Sequence, residues 1–237
     1  MRGLLLRGLL AGVVAGLVAA LFSYVVAEPV LDSAIALEGS SDGEPLVTRT
    51  QQKAFLFVAQ PLVGAAFGLL FAVAWSLLPR DVALRPFQRG LVLSTTAFGA
   101  LYLVPFLAYP PSPPGVGDPD TVGDRTSAYL LAVALGLAVA TLAYAASRAL
   151  RRRGRPLPGR ALAVAVGTAA VLAFGLWLLP AAAGVPTAVP ADLLWDFRVR
   201  SFGVQALLWG VLGAVFGALS ERAEQTSDAR RPAVPRP

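Results

Sequence analysis

Six apolar runs, each about the length of one bilayer crossing, constrain this chain more than any other feature. They occupy 4–27, 55–78, 90–108, 128–147, 161–179 and 202–220. A hydrocarbon core of about 30 Å is crossed by roughly 20 helical residues at about 1.5 Å rise each. The one formal charge inside the runs is Arg7, near enough to an end for its long stem to carry the guanidinium back to the interface. Hydrophobic residues make up 56% of the chain and charged residues 14%, where a soluble domain carries about 25% charged. The expected fold class is an all-α membrane protein, with six transmembrane helices over 1–220 and a disordered tail over 221–237.

The charges between the runs predict an orientation. Of the 20 Lys and Arg, fifteen fall on one side: the N-terminus, the segments around Arg85 and Arg153, and the tail. Five fall on the other: Arg49, Lys53, Arg125, Arg198 and Arg200. Basic residues concentrate in cytoplasmic loops, so both termini are expected in the cytoplasm. The acids run the opposite way, with ten of 14 on the outer side. This placement also explains the net charge of +6 without a nucleic-acid partner. The lipid bilayer is the expected partner.

The first run could be read as a signal peptide, since Arg2 and Arg7 precede it and Val25-Val26-Ala27 is a tolerable cleavage site. Its apolar stretch exceeds the usual 7–15 residues, so it is expected to remain as a span. The absence of His and Cys removes imidazole and thiolate chemistry from this chain, and with it the common zinc sites. No HExxH, GxSxG or P-loop pattern occurs, so no enzyme, no permanent cofactor and no ATP site are expected.

Six spans divide into three hairpins, each going out, turning through an acidic segment and returning. The returns carry similar clusters: Arg49-Thr50-Gln51, Arg125-Thr126-Ser127 and Arg198-Val199-Arg200-Ser201. Parallel repeats about a pseudo-threefold axis along the membrane normal would give this pattern, and so would ordinary helix capping in any six-span chain. Gly8, Gly12 and Gly16, with Gly64/Gly68 and Gly213/Gly217, keep the spacing that lets helix backbones approach in lipid, within the chain or toward a second copy in a homo-oligomer.

Chemistry is expected at the outer turns. Glu28, Asp32, Glu38, Asp42 and Glu44 lie in the first, Asp118, Asp120 and Asp124 in the Pro/Gly-rich second, and Asp192 and Asp196 in the third. Clustered carboxylates raise the local concentration of cations, and acidic rings select cations at channel mouths. Glu28, Asp32, Asp118, Asp120, Asp124 and Asp192 are therefore candidate residues of an outer cation mouth. Arg125 and Arg198 can instead pair with these acids as a lid. Gln60 and Gln205, within the even spans, line a path or bond across helices, and Pro61 and Pro105 free backbone carbonyls.

The chain resembles the CbtA family of cobalt transporter subunits over nearly its whole length. The resemblance rests on Leu5-Leu6-Arg7-Gly8, on Glu28-Pro29 followed by Asp32 and Glu38, and above all on 103–129. There Leu103-Val104-Pro105-Phe106, Tyr109-Pro110, Pro113-Pro114, Gly117-Asp118-Pro119-Asp120 and Arg125-Thr126 follow in order. Val189-Pro190-Ala191-Asp192, Leu194-Trp195 and Phe197-Arg198 agree as well. It implies an inner-membrane subunit for uptake of cobalt(II) or a similar divalent cation, tied to cobalamin supply and working beside a small histidine-bearing partner, CbtB. The alternative is a non-transporting scaffold or regulatory subunit. Imidazole suits cobalt better than carboxylate does, so nitrogen ligands would have to come from the partner, or the ion would pass hydrated.

Overall fold

A helix crossing lipid must satisfy its own backbone, and nothing obliges it to stop where the lipid stops. The computed structural model describes residues 1–37, 47–78, 84–114, 119–181 and 189–229. Among these there is no strand, and six helices are long and apolar enough to cross a membrane. They are α1 (Arg2–Phe22) continuing into α2 (Glu28–Leu37), α3 (Arg49–Leu77), α4 (Pro86–Phe98) continuing into α5 (Val104–Ala108), α6 (Val122–Arg152), α7 (Leu157–Leu178) and α8 (Ala191–Ala229).

Several helices run well past their apolar stretches. The first continuous helix covers 35 residues as Arg2–Ala36, about 52 Å against a core of about 30 Å. Asp32, expected in a turn, is therefore helical, on α2. Asp124 and Asp192 likewise stand in the first turns of α6 and α8. At the other end α8 continues to Ala229, so 221–229, expected as the start of a disordered tail, are helical. Glu, Arg, Ala and Gln propagate a helix readily, and Thr226 Oγ1 bonds back to the Arg222 carbonyl at 2.9 Å. The rest of the tail, 230–237, lies outside the described residues, as do Arg80 and Asp81.

Two of the continuous helices widen into a single π-turn, at Ser23–Ala27 and Gly99–Leu103. Each closes through a backbone bond that skips five residues, Glu28 N–H to the Ser23 carbonyl and Val104 N–H to the Gly99 carbonyl. In both cases the next residue is proline, Pro29 or Pro105. A proline ring inside a helix lacks the donor and collides with the carbonyl four residues back. An extra residue in the preceding turn moves that carbonyl away. Pro61 also lies inside a helix, yet α3 stays α-helical through it.

Cα proximity divides the chain into two units. The first contains Met1–Val30, Ser40–Thr95 and Arg200–Pro237. Its core is made by close backbone approach. A Cβ placed on Gly8, Gly12 or Gly16 of α1 would fall within 3.0 Å of backbone atoms of α3, around Gly68, Gly64 and Gln60-Pro61 respectively. Gly90 of α4 meets Gly213 and Gly217 of α8 in the same way. Lipid tails are as apolar as leucine, so helices associate through such packing and not through water release. Phe71 and Trp75 meet Phe216 edge-on at 5.0 and 5.2 Å between centroids, and Leu208, Leu212 and Phe216 are fully buried.

At one end of this unit, side chains close two helix termini. Arg89 on α4 donates to the Trp75 and Leu78 carbonyls at the end of α3, at 2.8 and 2.9 Å, and lies 4.2 Å from the Trp75 ring centroid. Glu221 on α8 accepts the Phe87 N–H from the first turn of α4 at 3.2 Å. Arg89→Gln removes charge-assisted bonds to two terminal carbonyls together with a cation–π contact. It is expected to lower stability by about 2 kcal/mol, read from thermal unfolding of the purified protein in detergent.

The second unit contains Leu31–Gly39 and Thr96–Val199. In it α6 packs against α7, and Gly136 of α6 lies against the Ala100 backbone of the second π-turn. Phe98, Tyr102 and Phe106 stack along one helix face at centroid spacings of 5.7 and 5.6 Å. The turn from α6 to α7 is a Schellman motif: Arg155 N–H reaches the Leu150 carbonyl at 3.1 Å and Gly154 N–H the Arg151 carbonyl at 3.0 Å. Gly154 takes φ 71° there, which a side chain would disfavour. No residue of α7 is buried.

Candidate functional site

In the first unit, the end expected to face outward is organised around the first π-turn. That turn and Pro29 place Glu28 at the start of α2, where it is buried at 8% exposure. The partner comes from α3, whose start is fixed by a capping box. Thr48 Oγ1 accepts the Gln51 N–H at 3.3 Å, and Gln51 Oε1 accepts the Thr48 N–H at 2.9 Å. The next residue after the cap is Arg49. Its Nη2 donates to Glu28 Oε2 at 2.5 Å while Nη1 donates to Gln52 Oε1 at 2.7 Å. From α8, Arg200 Nη1 donates to the Val26 carbonyl at 2.6 Å. Two guanidinium groups thus hold residues 26–28 from two other helices.

Glu28 was expected to join the outer cation mouth. The structure engages its carboxylate with a cation of the chain itself, Arg49. The sequence carried a partial signal, since Arg49 is the first base after the acidic segment and stands in the repeated Arg-Thr pattern. The pairing itself spans 21 residues and depends on where α3 begins.

In the second unit, Asp120 and Asp124 are exposed around the start of α6. Asp192 is exposed in the first turn of α8. Carboxylates at these positions complement the positive end of a helix dipole. Asp32 is exposed on α2. Asp118, with Glu38, Asp42 and Glu44, lies outside the described residues. Arg125 is exposed on α6. Arg198 Nε donates to the Pro111 carbonyl at 3.3 Å, fastening the start of α8 to the proline-rich stretch. Tyr109 O–H donates to the Pro180 carbonyl at 2.8 Å, and burial lifts its phenol above the ordinary value. Among the described residues no three Asp or Glu side chains come together as a metal-binding group.

The glutamines of the even spans are half-buried. The Gln60 backbone carbonyl is what a Cβ on Gly16 would strike, which puts Gln60 at the α1–α3 contact. Gln205 sits on α8, three residues before buried Leu208.

A family model described as "probable cobalt transporter subunit (CbtA)" matches residues 1–221, from the first residue to just past the last apolar run. The chain belongs to the CbtA family. No curated protein and no solved structure matches the chain. With CbtA membership and six spanning helices, the chain is a multi-pass membrane protein whose family role is that of a transporter subunit, a non-enzymatic one. Cobalt is the cargo that the CbtA description names.

Proposed function

We propose that this protein is the membrane subunit of an uptake system for cobalt(II) or a similar divalent cation, and that its outer acids gather the hydrated ion by their field. The observation that carries this reading is CbtA membership over 1–221, together with exposed Asp32, Asp120, Asp124 and Asp192 at helix ends on the side poor in Lys and Arg. An exposed carboxylate field attracts an ion without inner-sphere ligation, which suits acids that do not converge on one point. Asp118 is included on sequence grounds. The chain forms one membrane domain over 1–220, as three hairpins in parallel repeats with both termini cytoplasmic. Nitrogen ligands for cobalt come from a small histidine-bearing CbtB-like subunit, and the assembly accommodates further copies of the chain.

The test is initial uptake of labelled cobalt by cells expressing the chain with and without that small subunit. Replacing Asp118, Asp120, Asp124 and Asp192 by Asn is expected to reduce the rate about tenfold at low ionic strength and sub-saturating cobalt. Added salt should slow the wild type more than the variant. Equal uptake by the two would remove the acids from the mechanism.

A second reading, a non-transporting scaffold whose outer acids are matched by its own arginines, is supported by the Glu28–Arg49 pair. It predicts that cells expressing the small subunit accumulate the same amount of cobalt whether or not the chain is expressed with it.

A further inference from the structure

The turn between α6 and α7 gathers positive charge far along the chain from any acid. Arg148, Arg151, Arg152, Arg153, Arg155 and Arg160 fall within thirteen residues, and no acid occurs between Asp124 and Asp192. Asp124 stands at the opposite end of α6, roughly 40 Å from Arg151 by helical rise. Residues 151–159 are all exposed, and the Schellman motif fixes the backbone that carries them. Orientation signalling asks only for an excess of basic residues near a span end. It does not account for where these sit.

The start of α7 adds to the imbalance. Its cap is Pro156, with no side-chain bond to the first turn and no acid within that turn. A helix N-terminus carries about half a positive charge and favours anions. Here it meets a cation, Arg160, in that same turn. Arginine beside a positive helix end is unfavourable unless an anion lies between them. A phosphodiester suits such a surface, because guanidinium forks match phosphate oxygens and the open N–H groups of a first helical turn also favour an anion. The turn joins two helices that are each long and apolar enough to cross a membrane, which sets it at a span end, where lipid headgroups lie. No residue of α7 is buried, and Leu162, Val166 and Phe174 stand 61–67% exposed along it, an apolar surface suited to acyl chains directly beyond the turn.

We propose that the α6–α7 turn is a binding site for the headgroup of an anionic phospholipid. The site requires the chain to span a membrane and is independent of whether cobalt is transported.

The test uses the full chain in nanodiscs of phosphatidylcholine containing a minor fraction of phosphatidylglycerol, with retained lipids counted by native mass spectrometry after gentle extraction. The wild type is expected to retain phosphatidylglycerol over phosphatidylcholine. Replacing Arg152, Arg153, Arg155 and Arg160 by Gln should cut that preference by about tenfold or more, since each basic residue near an anionic surface contributes several-fold. Replacing the same four by Lys should keep most of it. Because loss of arginines can alter insertion, a tag-accessibility assay accompanies each variant. If the Gln variant inserts wrongly, the Lys variant and a single Arg160→Gln change decide, the latter being expected to lower the preference severalfold. Inorganic phosphate at millimolar concentration should not displace the lipid. Absence of a wild-type preference, as a site for an acidic protein segment would give, overturns the proposal. So does a correctly inserted Gln variant that retains phosphatidylglycerol as well as the wild type.

Discussion

Gly12→Leu is expected to prevent α1 and α3 from pairing and to abolish accumulation of folded protein. Even the first carbon of a side chain at position 12 would meet the Gly64 carbonyl inside 3.0 Å and the Ala65 Cα at 3.0 Å. These are backbone atoms, so relief requires the two helix axes to separate, and separation would also undo the approaches at Gly8 and Gly16 on the same face. Overpacking in a close-packed interior costs about 1–3 kcal/mol where side chains can shift. Here they cannot, and a loss of about 3 kcal/mol or more would consume much of the stability of a typical domain. Yield of monodisperse protein in detergent and its thermal midpoint measure the effect. Gly167→Leu on α7, where a Cβ would meet nothing within 4 Å, serves as the control and is expected to leave both unchanged.

Arg49→Gln is expected to destabilise the chain more than Glu28→Gln does, by about 2–3 kcal/mol. Breaking a buried pair from one side leaves an uncompensated charge, at about 3–5 kcal/mol for full burial. The Glu28 side chain is 10% exposed and that of Arg49 30%, so solvent screening lowers the figure. The asymmetry follows from burial: losing the arginine strands the better-buried carboxylate, whereas losing the acid leaves a guanidinium that still bonds Gln52. The double variant should recover part of the loss, with a coupling energy of about 1–2 kcal/mol in a double-mutant cycle of unfolding measurements. Additive effects would mean that the pair contributes nothing as a pair. The same variants bear on transport. If Glu28 only holds α2 against α3, the double variant should transport cobalt better than Glu28→Gln alone, whereas a Glu28 that binds the ion would leave both equally impaired.

Placing two arginines on residues 26–28 gives the end of the first unit that is expected to face outward a mechanical role that its acids alone did not suggest. The π-turn, Pro29 and the capping box at Thr48 are local features, each explicable from a few residues. Together they set the height and rotation at which Arg49 meets Glu28. The remaining described acids, at the starts of α6 and α8 and on α2, stay at the surface, where a carboxylate attracts cations by its field and also complements a helix end.

The amino-acid sequence by itself determined that this is a helical membrane chain with six crossings, because the need for about 20 apolar residues per crossing leaves a mark that any reader of hydropathy can find. It also carried the family, through the stretch around Pro105 and Pro113-Pro114. Pro29 and Pro105 announced a disturbance in their helices, but Pro61 announced the same and produced none. At Pro61 the Gln60-Pro61 backbone lies against Gly16 of α1, a contact made only in the assembled unit. Helix ends were the least legible feature, since charged residues tolerate helix outside lipid and Asp32, Asp124, Asp192 and 221–229 all proved helical. Tertiary structure alone decided which acid is engaged. Glu28 and Asp32 are four residues apart on one helix, yet Glu28 is buried against Arg49 while Asp32 is exposed, because burial of a charge depends on what another helix brings to it.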